Sequence, residues 1–221
     1  ESRDLLYRFL KEGYDFDSIG FFGVESYPVY LYGQDLIDDR FKDVQLKVYP
    51  KMNEPYGGDA LVEHAKDAGA KVAFTMIDLF AIPQPYIDQL TRNGVKLIPY
   101  LPIDQEPVNP GILNNLRFAH KIVTFSKYGQ KTLEKEGFVS YYIPEGTDTE
   151  IFKPMDKKEM RKKYGLPENV FLFGMVAANK ENPPRKAFQE VLEAFTKFNK
   201  SHPESAIFFH TQQVAPTGFP I

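Results

Sequence analysis

The chain has 221 residues, a formal net charge of -3, no cysteine, and 43% hydrophobic and 14% aromatic residues. This composition can form a hydrophobic core, which excludes general disorder, and the slightly negative charge argues against a broad nucleic-acid-binding surface. Without cysteine the chain has neither disulfides nor thiolate metal sites, and no apolar run approaches the roughly 20 residues of a membrane span. We therefore expect a cytoplasmic protein with no transmembrane segment and no nucleic-acid partner.

Short apolar runs alternate with amphipathic patterns along most of the chain. A helix is predicted at residues 1–12, with Leu5, Leu6, Phe9 and Leu10 on one face. The predicted strands are residues 18–23, 44–49, 71–77, 95–101, 121–126, 140–144, 170–177 and 206–211. The further predicted helices are residues 58–68, 83–92, 110–119, 127–136, 156–164 and 184–200.

This alternation favours a doubly wound, Rossmann-like α/β fold, in which a parallel sheet is covered by helices on both faces. The six strands predicted before residue 150 are enough for one such sheet. The following stretch is polar and contains the charge cluster KPMDKKEMRKK, which favours a solvated helix face and leaves open a membrane-surface or partner role. We predict a domain at 1–150, an interdomain link at 151–169 and a second domain beginning at 170–221.

Both ends of the sequence suggest a longer protein. A helical pattern is already under way at the first residue, and the last predicted strand runs into TQQVAPTGFPI. One strand–helix–strand unit of about 50 residues is too small to bury a core by itself. We therefore expect the second domain to be incomplete within this chain.

The stretch FGMVAANKENPPRKAFQEVLEAF, residues 173–195, predicts a strand, a loop and a helix with a basic start. With Asn182 as N-cap and Pro183 as the first helical residue, Arg185 and Lys186 fall in the first turn, where the helix dipole favours anions. A bound phosphate would make these cations favourable, which is typical of nucleotide sites in α/β sheets. Solvated surface cations are the alternative. The helix places five apolar residues on one face: Phe188, Val191, Leu192, Phe195 and Phe198.

Two ordered motifs resemble family 4 (group 1) retaining glycosyltransferases. VAANKENPPRKAF, followed by a long amphipathic helix, is similar to the start of that family's donor-binding domain. AHKIVTFSKYGQKTLEKEGF and YYIPEGTDTEIFKP, at 119–138 and 141–154, resemble its strand-Ser-helix segment and the end of its acceptor domain. The resemblance implies the two-domain GT-B architecture, in which the first Rossmann-like domain binds an acceptor and the second binds a nucleotide-sugar, such as a UDP- or GDP-sugar.

The resemblance also implies roles for individual residues of the loop. In the family, an Arg and a Lys after the first strand of the donor domain hold the donor diphosphate. Lys186 matches that Lys, Asn179 or Lys180 occupies the position of the Arg, and Arg185 is an additional cation. The resemblance implies neither a metal nor a separate cofactor, and it is compatible with a glycan, lipid or small-molecule acceptor and with peripheral membrane contact.

Two acidic residues are candidates for catalysis on the acceptor side. Asp78 ends the strand predicted at 71–77, and Asp104 follows the strand predicted at 95–101, at the edge where open α/β sheets bind ligands. Family members often have a catalytic His near the second position, where this chain has Asp104-Gln105. A carboxylate there could orient an acceptor hydroxyl or stabilise charge on the sugar. Helix capping or a loop hydrogen bond is the alternative for each.

The resulting hypothesis is transfer of a sugar, with retention, from a nucleotide diphosphate to an acceptor hydroxyl. A sugar-nucleotide epimerase or hydrolase of the same architecture and a non-catalytic nucleotide- or protein-binding fragment are the alternatives. The family's glycine-rich turn would precede residue 1, and its paired glutamates would follow residue 221. In the motif PEGTD we expect Glu145 and Asp148 to cap the link, with a position in the cleft as the alternative, and the spacing of the histidines predicts no metal site.

Overall fold

The computed structural model describes residues 2–20, 29–32, 45–179 and 185–213. The chain divides into two compact units, Glu1–Thr147 and Asp148–Ile221. The helices are α1 (Ser2–Lys11), α2 (Leu61–Asp67), α3 (Gln84–Arg92), α4 (Pro110–Leu116), α5 (Lys127–Lys135), α6 (Lys157–Lys163) and α7 (Phe188–Ser201). The strands are β1 (Ser18–Gly20), β2 (Val29–Tyr32), β3 (Gln45–Pro50), β4 (Val72–Thr75), β5 (Lys96–Leu101), β6 (Val123–Thr124), β7 (Tyr141–Tyr142), β8 (Phe171–Asn179) and β9 (Ser205–Gln213).

The main sheet of the first unit has four parallel strands in the order β4-β5-β6-β7. In its register, Val72 lies opposite Lys96, Tyr100 opposite Val123, and Val123 opposite Tyr141. Successive strands are neighbours and are connected through α3, α4 and α5, as parallel pairing requires. The prediction of an α/β fold with parallel sheets, compatible with a Rossmann-like architecture, is confirmed at this level.

The prediction that six strands form one parallel sheet is wrong for the described residues. The strands β1, β3 and β2 form a separate three-stranded sheet in that order, in which β1 is parallel and β2 antiparallel to β3. The sequence pattern missed β2 altogether. This strand comprises the four residues Val29–Tyr32.

Strand β6 is shorter than its sequence predicts, because its neighbour in the sheet contains a proline. The pattern favoured residues 121–126, whereas the continuous ladder with β5 starts at Tyr100 and Val123, after an isolated parallel bridge between Leu97 and Ala119. The same register places Pro99 opposite Ile122. Proline has no N–H to donate to a ladder, so the regular pairing begins one residue later.

The core of the first unit consists of aliphatic side chains from β5, from the helices that cover it and from the turn after β4. Its buried members are Leu79, Ile82, Ile87, Leu90, Val95, Leu97, Leu101, Ile103, Val108, Ile112, Leu116, Ile122 and Leu133. Four of them, Leu79, Ile82, Ile103 and Val108, lie in the connections that follow β4 and β5. The core therefore reaches the edge of the sheet where the candidate acidic residues were predicted.

The second unit contains one β–α–β arrangement, in which β8 and β9 are parallel and α7 connects them. The apolar face of α7 packs on one side of this sheet, as its sequence predicted. Phe173 contacts both Phe195 and Phe198 edge to face, and Phe188 lies 6.0 Å from Phe209 between ring centroids.

Helix α6 belongs to this unit, so the segment predicted as an interdomain link contains a packed helix. Asp156 caps it, its side chain accepting a hydrogen bond from the backbone N–H of Glu159 at 2.8 Å. The buried guanidinium of Arg161 donates to the carbonyl oxygens of Glu168 at 2.7 Å and Val170 at 3.0 Å, and also to that of Pro167. These bonds fasten α6 to the chain that enters β8. Among the described residues, no helix is both long enough and apolar enough to cross a bilayer.

Candidate functional site

Asp78 lies in the connection that leaves the carboxyl end of β4. The pairing of β4 with β5 stops at Thr75, so Asp78 follows the strand at a short distance instead of ending it as predicted. Asp78 is exposed and directly precedes the 3₁₀ helix Leu79–Ala81. Its carbonyl oxygen accepts a hydrogen bond from the N–H of Ala81 at 2.9 Å, and its carboxylate makes no capping bond to this helix. The side chain is thus presented to solvent.

Asp104 occupies the equivalent place after β5, the neighbour of β4 in the sheet. It is also exposed. The strands β4 and β5 are parallel, so the two connections leave the same edge, where open α/β sheets bind ligands. That Asp78 and Asp104 serve one site stays a prediction, because it requires a bound acceptor.

The connection that carries Asp104 is held by α5 on both sides of this residue. Ser126 caps α5, accepting a hydrogen bond from the N–H of Gly129 at 2.9 Å. A Cβ atom placed on Gly129 would lie 3.0 Å from the Cβ of Ile103, so the helix approaches this connection as closely as glycine allows. Farther along, Glu106 pairs with Lys135 at 2.9 Å, a contact that raises the pKa of the Lys135 ammonium.

Asn115 on α4 holds the turn that follows Asp78, a role that the sequence analysis missed. Its side chain is 3% exposed, and its Nδ2 donates to the carbonyl oxygens of Leu79 at 2.8 Å and Ile82 at 2.9 Å. The carbonyl of Leu79 also accepts the N–H of Ile82 at 3.4 Å, so the amide gives Leu79 a second donor and bonds in addition to Ile82, the residue that follows the 3₁₀ helix. The signal in the sequence was that Asn115, a polar residue, lies beside the apolar Leu116 within the helix predicted at 110–119.

The loop before α7 differs from its prediction in where the helix begins. Arg185 and Lys186 lie in a turn ahead of the helix, and Ala187, at the N-cap position, has a left-handed backbone with φ of 53°. The first turn of α7 instead carries Glu190, the charge that a helix dipole favours there. The prediction of two cations in the first helical turn is therefore wrong. Both residues are exposed and immediately precede this helix.

The remaining loop residues are placed as follows. Asn179 is the last residue of β8 and is fully buried. Lys180, together with the predicted cap Asn182 and its neighbour Pro183, lies outside the described residues. The structure therefore places Arg185 and Lys186 in one turn, and the assignment of the family's Arg position to Asn179 or Lys180 stays a prediction.

Asp148 and His64 both have structural roles. The Oδ1 of Asp148 accepts a hydrogen bond from the N–H of Glu150 at 3.0 Å, which confirms a capping role. His64 is buried and bonds through Nε2 to the carbonyl oxygen of Pro50 at 2.8 Å, so it supports the fold. Within the described ranges, no three His, Asp or Glu side chains are grouped so that they could hold a metal ion.

Comparison with known proteins adds no further identification of the chain. No protein-family model matches the sequence, and the search of curated proteins finds no match.

Proposed function

We propose that the protein is a retaining glycosyltransferase that moves a sugar from a nucleotide diphosphate to an acceptor hydroxyl. The observation that carries this proposal is the β8–α7 connection. Two exposed cations, Arg185 and Lys186, lie between the carboxyl end of a parallel strand and the N-terminus of its crossover helix. This is the location at which α/β folds bind phosphate groups. The resemblance of the surrounding motif to the family's donor-binding loop supports the same interpretation.

On this proposal the second unit binds the donor, and Lys186 and Arg185 hold its diphosphate. In the reaction the bond between the anomeric carbon and the diphosphate oxygen breaks, while the acceptor oxygen bonds to that carbon on the same face. The acceptor proton passes to the leaving oxygen. Fixed positive groups stabilise the charge that develops on the diphosphate, so they assist the chemical step as well as binding.

The first unit binds the acceptor at the carboxyl edge of its main sheet. Asp78 and Asp104 are both exposed there, and carboxylates accept hydrogen bonds from hydroxyl groups. Each would orient an acceptor hydroxyl or stabilise the positive charge of the sugar in the transition state.

The donor site is tested by calorimetric titration of UDP and GDP into the wild type and the Lys186→Ala variant. A hydrogen bond to a charged group contributes about 1.5–3 kcal/mol, so we expect affinity for the preferred nucleotide to fall roughly ten- to a hundredfold. Lys200→Ala is the matched control, because Lys200 is an exposed lysine of the same unit in the last turn of α7.

If the wild type and Lys186→Ala bind the nucleotide equally well, Lys186 is not part of the donor site and is a solvated surface lysine. Absence of UDP and GDP binding by the wild type would contradict the proposal for these donors. Nucleotide-sugar turnover that gives a free or epimerised sugar without an acceptor would favour the epimerase or hydrolase alternative.

A further inference from the structure

Phe80 is an exposed aromatic residue at the edge of the main sheet, two positions after Asp78. Its side chain is 52% exposed, whereas Leu79 and Ile82 in the same turn are buried in the core. Single exposed apolar side chains are common on protein surfaces and need no explanation by themselves. What distinguishes Phe80 is the way in which the structure holds it outward.

Two kinds of contact fix the turn around Phe80. The side chains of Leu79 and Ile82 anchor it in the core from either side. The amide of Asn115 donates to the carbonyl oxygens of the same two residues, at 2.8 and 2.9 Å. Both acceptors are carbonyls, so only the NH₂ end of this amide can face them. These contacts fix the backbone on both sides of Phe80.

The base of Phe80 also rests against α4. A Cβ atom built on Gly111 would lie 3.3 Å from the Cβ of Phe80, so the first turn of this helix lies directly against the residue. Helix α4 begins just after the connection that carries Asp104. Phe80 therefore belongs to the turn that follows Asp78 and packs against the start of α4, the helix that follows Asp104.

An exposed ring two residues from an exposed carboxylate matches the surface of a sugar. A pyranose has faces made of C–H groups, which pack on aromatic rings, and a rim of hydroxyls, which donate to carboxylates. We propose that Phe80 is the apolar platform for a sugar ring of the acceptor and that Asp78 accepts hydrogen bonds from its hydroxyls. This inference rests on the proposed function and deepens it, since it makes the acceptor a saccharide.

Saturation-transfer NMR tests the platform without any donor. The probes are the methyl glycosides of glucose, mannose and galactose, each added separately to the wild type and to Phe80→Ala. We expect saturation to be strongest on the C–H protons of one ring face, and affinity to fall about tenfold in Phe80→Ala. Phe80→Tyr keeps the ring and should bind like the wild type. Phe152→Ala is the control, since Phe152 is an exposed phenylalanine of the second unit.

The role of Asn115 is tested with the same probes. Asn115→Leu removes both donors at similar volume, so we expect faster amide exchange at Ala81 and Ile82 together with weaker sugar binding. Gln130→Leu is the matched control, because it removes a bond to the carbonyl oxygen of Ser140 elsewhere in the first unit. Faster exchange in this turn with wild-type affinity for the sugar would overturn the positioning role.

The proposal fails if none of the three glycosides binds the wild type up to tens of millimolar, or if Phe80→Ala binds as the wild type does. Failure of the transferase proposal gives a different result. If the protein binds sugars through Phe80 but binds neither UDP nor GDP, it is a carbohydrate-binding protein. In that case the platform proposal stands and the donor-site proposal fails.

Discussion

The two units bury their apolar residues to very different extents. In the first unit, a continuous set of buried aliphatic side chains connects β5, its covering helices and the turn after β4. In the described part of the second unit, Phe188 is the buried hydrophobic residue, while Phe171, Val176 and Phe208 are substantially exposed. Stability in the first unit is therefore distributed over many contacts, whereas in the second it depends on a few.

The register of β8 and β9 explains the exposure of Val176 and Phe208. Residues in alternate positions of a strand face opposite sides of the sheet. Phe173 and its partner Ile207 share the side on which α7 packs, while Val176 and Phe208 fall on the other side. A sheet of two strands with one covering helix buries only one of its faces, so half of its apolar side chains have no element of the described unit against them.

Phe188→Ala should reduce stability more than any other substitution proposed for this comparison. Removing a fully buried phenylalanine costs about 3–5 kcal/mol, and this unit has few other buried contacts to compensate. We expect the amides of β8 and β9 to lose protection from hydrogen exchange while those of β5 keep it. Phe198→Ala, on the same helix but 39% exposed, is the control and should have a smaller effect. Equal loss of protection in both units would contradict the contrast between them.

Arg161→Met should have the next largest effect. Methionine replaces the aliphatic part of the arginine side chain but leaves the carbonyls of Pro167, Glu168 and Val170 without their donor. The expected cost is about 1–3 kcal/mol. Urea denaturation, followed by hydrogen exchange in β8, measures the effect on the second unit. Substitution of the neighbouring exposed Lys162 by Met should be nearly neutral. If the two variants are equally stable, the carbonyl contacts of Arg161 do not support this unit.

Tyr49→Phe should have the smallest effect, because it removes one hydrogen bond from a well-packed unit. The Tyr49 hydroxyl and the Lys47 ammonium both donate to Oδ2 of Asp67, at 2.5 and 2.6 Å. We expect a loss of about 0.5–1.5 kcal/mol in thermal unfolding of the first unit near neutral pH. Tyr128→Phe, which changes an exposed tyrosine of the same unit, is the control.

The same cluster predicts how stability depends on pH. Hydrogen bonds from Lys47 and Tyr49 lower the pKa of the Asp67 carboxyl below its ordinary value of 3.8. The folded state then binds this proton more weakly than the unfolded state, so the stabilisation is present above pH 3.8 and is lost as the pH falls through the folded-state pKa. Tyr49→Phe should reduce the part of the stability that is lost in this acid range. An identical acid dependence of unfolding in the variant and the wild type would contradict the link.

Local sequence signals predicted most of the individual elements. Helix α5 begins after the cap Ser126, α4 after Asn109 and α6 after Asp156, each of which accepts a backbone N–H bond from its own first turn. Such caps and the apolar spacing of α7 involve residues only a few positions apart. They are therefore present in the sequence whatever the rest of the chain does.

Of the candidate site, the sequence predicted that acidic residues lie near strand ends, but it did not predict what holds them. It placed the two cations inside the first turn of α7, whereas they precede the helix. Asn115 bonds to residues more than thirty positions away, and Gly129 lies against Ile103 from another element. Contacts of this kind follow from how elements pack, so no local pattern contains them.

The sequence by itself therefore determined the alternation of strands and helices, the parallel β–α–β arrangements and the placement of polar residues after strands, because these depend on short-range periodicity and capping. Only the tertiary structure decided which strands share a sheet, where β6 and α7 begin, and that Phe80 faces outward. The start of β6 depends on Pro99 in the neighbouring strand, and the turn of Phe80 depends on an amide of α4. Each is set by groups that meet only after the chain has folded.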